Sequence, residues 1–79
     1  MKVEIYSRAN CGYCDKAKIK LKKYNPRIYM LDQDYTREEF FAKFPNAKTF
    51  PQIVINSKLV GGYHKLEKWL AFNSPEENY

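Results

Sequence analysis

Cys11-Gly12-Tyr13-Cys14 contains both cysteines of this 79-residue chain, and the pair stands where thiol chemistry is easiest to arrange. A strand-like run precedes it and a helix-like run follows, the setting in which a C-x-x-C pair reads as redox-active. The unpaired N–H groups and the positive end of the dipole at a helix N-terminus stabilise an anion. The Cys11 thiolate is therefore expected to form at a lower pH than the value of about 8.5 for a free cysteine. Cys14 lies one turn deeper and is expected to be the more buried. Cys11 would then attack a disulfide, and Cys14 would reach back over the short loop to break the resulting mixed disulfide.

The competing reading of C-x-x-C is half of a zinc site. A closed structural site needs four ligands, and the chain offers only these two cysteines and one histidine, His64. No metal is expected within one monomer, although metal shared between two chains stays open.

The elements that must position the pair follow from hydrophobic period and breakers. Val3-Glu4-Ile5-Tyr6 alternates as a short strand and runs into the polar turn Ser7-Arg8-Ala9-Asn10. Cys14, Ala17, Leu21 and Tyr24 recur at helical spacing, so an amphipathic helix is expected over 13–24, ended by Asn25-Pro26. Ile28-Tyr29-Met30-Leu31 reads as a strand covered on both faces. Thr36 and Glu39 form a capping box for a second helix, with Phe40, Phe41 and Phe44 as its buried face and Pro45-Asn46 as its stop. Pro51–Ile55 and Lys58–Val60 flank Asn56-Ser57 as a two-residue hairpin, and Gly61-Gly62 interrupts the second strand. Tyr63, Leu66 and Leu70, with Trp69, mark a last helix before a polar tail from Asn73 to Tyr79.

The order is strand, helix, strand, helix, strand, strand, helix. The first βαβ unit should give a parallel pair, to which the hairpin adds antiparallel strands. One domain over 1–79 is expected, and the 16% aromatic content falls inside the patterned segments, so a core without staples is plausible. Pattern alone leaves several α/β or α+β arrangements open.

Glu4 and Arg8 interrupt the N-terminal run, which does not read as a signal peptide, and no segment reaches membrane-spanning length. A soluble, cytoplasmic protein is expected, in a compartment that keeps thiols reduced. The net charge of +5 raises the question of a nucleic-acid partner. However, Lys16, Lys18, Lys20, Lys22 and Lys23 lie on several sides of one helix, and no nucleic-acid motif accompanies them. A positive field around a thiol instead favours the thiolate and attracts anionic thiols or acidic protein tails.

Three motifs in order then make the chain resemble glutaredoxins over nearly its whole length, in the compact form that occurs in bacterial and phage genomes. Cys11-Gly12-Tyr13-Cys14 is similar to the family's Cys-Pro-Tyr-Cys, Thr49-Phe50-Pro51 to its Thr-Val-Pro, and Gly61-Gly62 precedes the last helix. The resemblance implies a thioredoxin fold, α/β, with a four-stranded mixed sheet and three helices. It also implies a cis bond before Pro51, which would leave the Phe50 backbone free to pair with the cysteine part of glutathione. Lys48 would meet a glutathione carboxylate. Arg8 stands where many members have lysine. Tyr13, Gly62 and Tyr63 would line the same groove, with packing an equally simple role for Tyr13.

Two departures bear on function. Gly12 replaces the motif proline and loosens the loop between the sulfurs. After Gly61-Gly62 many members carry an acidic residue that holds the glutamyl amine, where this chain has Tyr63-His64-Lys65. Glutathione binding is therefore expected to be weaker than in those members. The resemblance implies an enzyme, re-reduced by glutathione, that reduces protein disulfides or glutathione mixed disulfides and acts as a monomer, with ribonucleotide reductase as a candidate substrate. The alternatives are a thioredoxin-like electron donor, against which Asn10 stands in place of the usual tryptophan, and a carrier of a [2Fe–2S] cluster bridged between two chains.

Overall fold

The computed structural model describes residues 1–73. Among them the elements are β1 (Val3–Ser7), α1 (Gly12–Lys20), β2 (Arg27–Met30), α2 (Arg37–Lys43), β3 (Gln52–Ile55), β4 (Lys58–Gly61) and α3 (Tyr63–Asn73), with a 3₁₀ turn over Lys22–Tyr24. The strands form one sheet in the order β2-β1-β3-β4. β1 and β2 are parallel, β3 runs antiparallel to β1, and β4 antiparallel to β3. Of the tail expected from Asn73, only Asn73 lies within the described residues. It ends α3, and its side-chain amide donates to the Trp69 carbonyl at 3.0 Å.

Alternation along the two central strands divides the core between the two sheet faces. Val3, Ile5, Ile53 and Ile55 pack with Ala17 and Leu21 beneath α1 and Leu66 of α3. Val54 turns to the other face and joins Tyr35, Phe40 and Phe44, with Tyr6, Tyr29 and Phe50 against them. Ile5, Leu21, Ile53 and Leu66 are fully buried, and each such side chain stabilises the fold by about 1.5–3 kcal/mol. Both ends of the Cys-x-x-Cys loop are thereby held, since β1 delivers the chain to Cys11 and α1 is anchored through Ala17 and Leu21.

Several expectations hold in detail. Thr36 Oγ1 accepts from the Glu39 N–H at 3.1 Å and Glu39 Oε1 accepts from the Thr36 N–H at 2.9 Å, a complete capping box. Asn56 and Ser57 both take positive φ, 51° and 66°, as a two-residue turn matched to strand twist requires.

Others are corrected. α1 stops at Lys20 rather than continuing to Tyr24: the chain tightens into the 3₁₀ turn and leaves it through Asn25, whose left-handed φ of 57° ends the helix before Pro26. β2 is not covered on both faces. It is an edge strand, and Ile28 remains 40% exposed, so the short apolar run belonged to an edge; the strand buried throughout is β3. Phe41 is not part of the buried face of α2 but is 46% exposed, because a stripe through Phe40 and Phe44 turns the intervening position toward solvent. Pro51 precedes β3 rather than starting it.

Tyr35 ties the α2 side of the core to β1. Its hydroxyl donates to the Ser7 carbonyl at 2.5 Å, and burial pushes its pKa up to about 12. Because the folded value lies above the ordinary 10, this contribution is intact below pH 10 and is lost as pH rises toward 12. The Tyr35→Phe protein is expected to lose about 1 kcal/mol at neutral pH and to show a flatter decline in stability through that alkaline window. Urea unfolding at pH 7, 10 and 11.5 measures both effects.

Candidate active site

The site begins where β1 ends. Arg8 does not project freely: its guanidinium donates to the carbonyls of Ala9 at 3.0 Å and Asn10 at 3.2 Å and lies 5.8 Å above the Phe50 ring. Asn10, in left-handed conformation with φ 54°, turns the chain into α1. Cys11 is the N-cap of α1, and its Sγ accepts the Cys14 N–H at 3.2 Å. A sulfur here takes the place that a serine or aspartate oxygen occupies at most helix starts.

Cys11 and Cys14 are joined by a disulfide, with their Cα atoms 5.2 Å apart. Cys14 is completely buried, whereas Cys11 keeps 7% of its surface. The expected order of accessibility holds, but Cys11 is far less open than an exposed attacker would be. On reduction the amide that now points at Cys11 Sγ would donate to the thiolate, a charge-assisted hydrogen bond of the stronger kind.

Facing the sulfurs is the Thr49-Phe50-Pro51 segment. The Phe50–Pro51 peptide bond is cis, as the resemblance implies, and the Phe50 carbonyl oxygen stands 3.8 Å from Cys11 Sγ. The half-buried Phe50 ring stacks on Phe40 at 4.5 Å, which fixes this loop to α2. Gln52 adds a second restraint, its side-chain amide donating to the Thr49 carbonyl at 2.9 Å. Neither Gln52 nor Phe40 stood out as a site residue in the sequence, because each acts only through a loop that folding brings to the cysteines.

Gly62 lies beside the same loop. A Cβ at this position would sit 3.1 Å from Thr49 Oγ1 and 3.8 Å from the Pro51 carbonyl oxygen, so a side chain would push the start of α3 away from the loop. Tyr63 stacks on Tyr13 at 5.4 Å, and His64 meets the edge of Tyr13 at 5.3 Å. Tyr13 is thus packed against α3 yet 47% exposed. Gly12, the first residue of α1, has open space where a side chain would project.

Two grooves of about 500 Å³ flank the Thr49–Pro51 segment. One is lined by Arg8, Tyr13, Lys48 and Phe50, together with Arg37 and Phe41, which the sequence did not mark. The other carries Lys48 again with Gly62, Tyr63, His64 and Lys65. The structure thus brings all nine expected site residues to one end of the sheet. No group of three or more metal-ligating side chains occurs among the described residues, and no helix there is long and apolar enough to cross a membrane.

The glutaredoxin family model matches residues 3–60, more than half of the chain. Glutaredoxin-1 of Gallus gallus is 31% identical over 72 residues, which cover 85% of this chain and 71% of the chicken protein. Glutaredoxin 1 of Rickettsia conorii is 39% identical over 62 residues, 73% of this chain and 61% of that protein. The chain therefore spans between three fifths and three quarters of these relatives' length. Among solved structures, that of reduced Escherichia coli glutaredoxin superposes with a TM-score of 0.76 at 26% identity, over 94% of this chain and 98% of the other. The sheet order and helix placement described above are those of the thioredoxin fold.

Proposed function

Because the chain belongs to the glutaredoxin family, whose members are thiol–disulfide oxidoreductases, we propose that it is a glutathione-dependent enzyme of that kind, acting on protein disulfides or glutathione mixed disulfides. The observation that carries this reading is the Cys11 sulfur at the cap of α1, with the Cys14 amide 3.2 Å away and the Phe50 carbonyl oxygen 3.8 Å away.

In the reductive half-reaction the Cys11 thiolate attacks one sulfur of a substrate disulfide. A Cys11–substrate disulfide forms and the first substrate thiolate leaves. Cys14, deprotonated, then attacks Cys11 Sγ, closing the Cys11–Cys14 disulfide and expelling the second substrate thiolate, so two electrons pass to the substrate. Two molecules of glutathione return them and leave as glutathione disulfide. Arg8, Tyr13, Lys48, Phe50, Pro51, Gly62 and Tyr63 are the proposed glutathione contacts. The reading places the enzyme in the cytoplasm, working as a monomer on protein disulfides such as that of ribonucleotide reductase.

Coupled assays decide it. Glutathione with glutathione reductase and NADPH should recycle the oxidised protein; efficient recycling by thioredoxin reductase and none by glutathione would overturn the assignment. Since no carboxylate lines either groove among the described residues, none of them offers the glutamyl amine an acidic partner there. Lys65→Asp is expected to lower the KM for glutathione by roughly three- to tenfold, the range of an exposed to partly buried charge pair. A KM that stays the same or rises would place the amine elsewhere.

A further inference from the structure

Resting on the oxidoreductase reading above, we infer that the preferred substrate of this site is a disulfide carried in an acidic polypeptide segment. The two grooves share Lys48 and Thr49, and their basic linings are Arg8, Arg37, Lys43, Lys48, His64 and Lys65, with no carboxylate among the described residues that line them. Asp15 approaches Lys18 at 3.9 Å and Glu39 caps α2. Glu67 approaches Lys20 at 3.9 Å and His64 at 3.5 Å, so it offsets charge only at the His64 end of the second groove. The imbalance is local to this face, since nine Asp and Glu residues are present in the chain.

Shape and charge point the same way. Each groove is of small-molecule size, on the order of 500 Å³, and the two share Lys48 and Thr49, next to Phe50, whose carbonyl faces Cys11 Sγ at 3.8 Å, an arrangement that suits an extended chain. Glutathione brings an ammonium group as well as carboxylates, and here that ammonium would stand among cations. An acidic polypeptide brings carboxylates alone. Tyr13 and Phe41, 47% and 46% exposed, add apolar surface for the segment's own side chains. Because the cations are close to solvent, their effect belongs chiefly to encounter rate and should weaken with salt.

The test uses three synthetic peptides with the same intramolecular disulfide, flanked by Asp and Glu, by Asn and Gln, or by Lys. Protein reduced with dithiothreitol and freed of it is mixed with each peptide, and one turnover is followed by the loss of protein thiols, so glutathione plays no part. The acidic peptide should react about tenfold or more faster than the neutral one at low ionic strength, within the range of electrostatic steering, and the ratio should fall toward unity at high salt. The double variant R37E/K43E should lower the ratio at least about threefold, a readout independent of how much of the protein is folded because both rates come from one sample. A ratio within twofold of one at low salt, insensitive to salt, or unmoved by the variant overturns the inference while leaving the oxidoreductase reading intact. Failure to reduce any peptide, with both thiols titratable, overturns the two together.

Discussion

The Cys11→Ser protein is expected to lose thiol exchange altogether, by on the order of a thousandfold or more, because no other group can supply the attacking sulfur. Cys14→Ser should behave differently. It removes the second attack and stops the reduction of protein disulfides at the mixed disulfide, but it leaves Cys11 able to take glutathione from a glutathionylated substrate and pass it to a second glutathione. The asymmetry has a structural origin. Cys14 is completely buried, whereas Cys11 keeps 7% of its surface, receives the Cys14 N–H and stands 3.8 Å from the Phe50 carbonyl oxygen. Mass spectrometry after brief alkylation of the reduced protein should find the label on Cys11, and single-turnover rates on the two substrate types should separate the variants. Label found mainly on Cys14, or deglutathionylation surviving in Cys11→Ser, would reverse the roles.

Phe40→Ala is the substitution outside the motif with the largest expected effect. Phe40 is 2% exposed and its ring lies within 6 Å of those of Tyr35, Phe41, Phe44 and Phe50. Its removal should cost about 3–5 kcal/mol, a large part of the roughly 5–15 kcal/mol available to a domain. The melting temperature should fall by more than about 12 °C. The stacking of Phe40 on Phe50 adds a second consequence, since Phe50 carries the carbonyl that faces Cys11. Phe40→Leu keeps most of the apolar volume and should cost only about 1–1.5 kcal/mol, yet it removes the flat surface that orients Phe50. Its single-turnover rate should therefore fall more than its stability suggests. Denaturant unfolding and stopped-flow thiol exchange on both variants test this, and a Phe40→Leu protein with an unchanged rate would separate the α2 core from the site.

The elements whose signals are local are the ones sequence reading located well. The capping box of Thr36 and Glu39, the Asn56-Ser57 turn and the break at Asn25-Pro26 depend on residues a few positions apart, and all appear where the sequence marks them. Apart from the ends of α1 and the start of β3, the corrections fall where burial is read from a run of apolar residues. Ile28-Tyr29-Met30-Leu31 looks like an interior strand because nothing in four residues says whether a neighbour will pair on the far side. The sheet order leaves it at the edge, and β3, equally short, takes the interior. Phe41 groups with Phe40 and Phe44 in the sequence for the same reason, although α2 has only two turns and packs through a narrow stripe.

By itself the sequence determined the reacting pair, the strand and helix that hold it, and the family to which the chain belongs, since Cys11-Gly12-Tyr13-Cys14, Thr49-Phe50-Pro51 and Gly61-Gly62 are each contiguous and each impose a local conformation. The tertiary structure alone decided what surrounds the sulfurs. The approach of Phe50 to Cys11 spans 39 positions, the Tyr13–Tyr63 stack joins α1 to α3, and the grooves gather Arg8, Arg37, Lys43, Lys48 and Lys65 from separate segments. The physical reason is that a side chain's neighbours across a sheet are set by strand order and register, here Ile5 opposite both Ile28 and Ile53. Those pairings depend on burying the whole apolar surface at once, a condition that no single stretch of the chain contains.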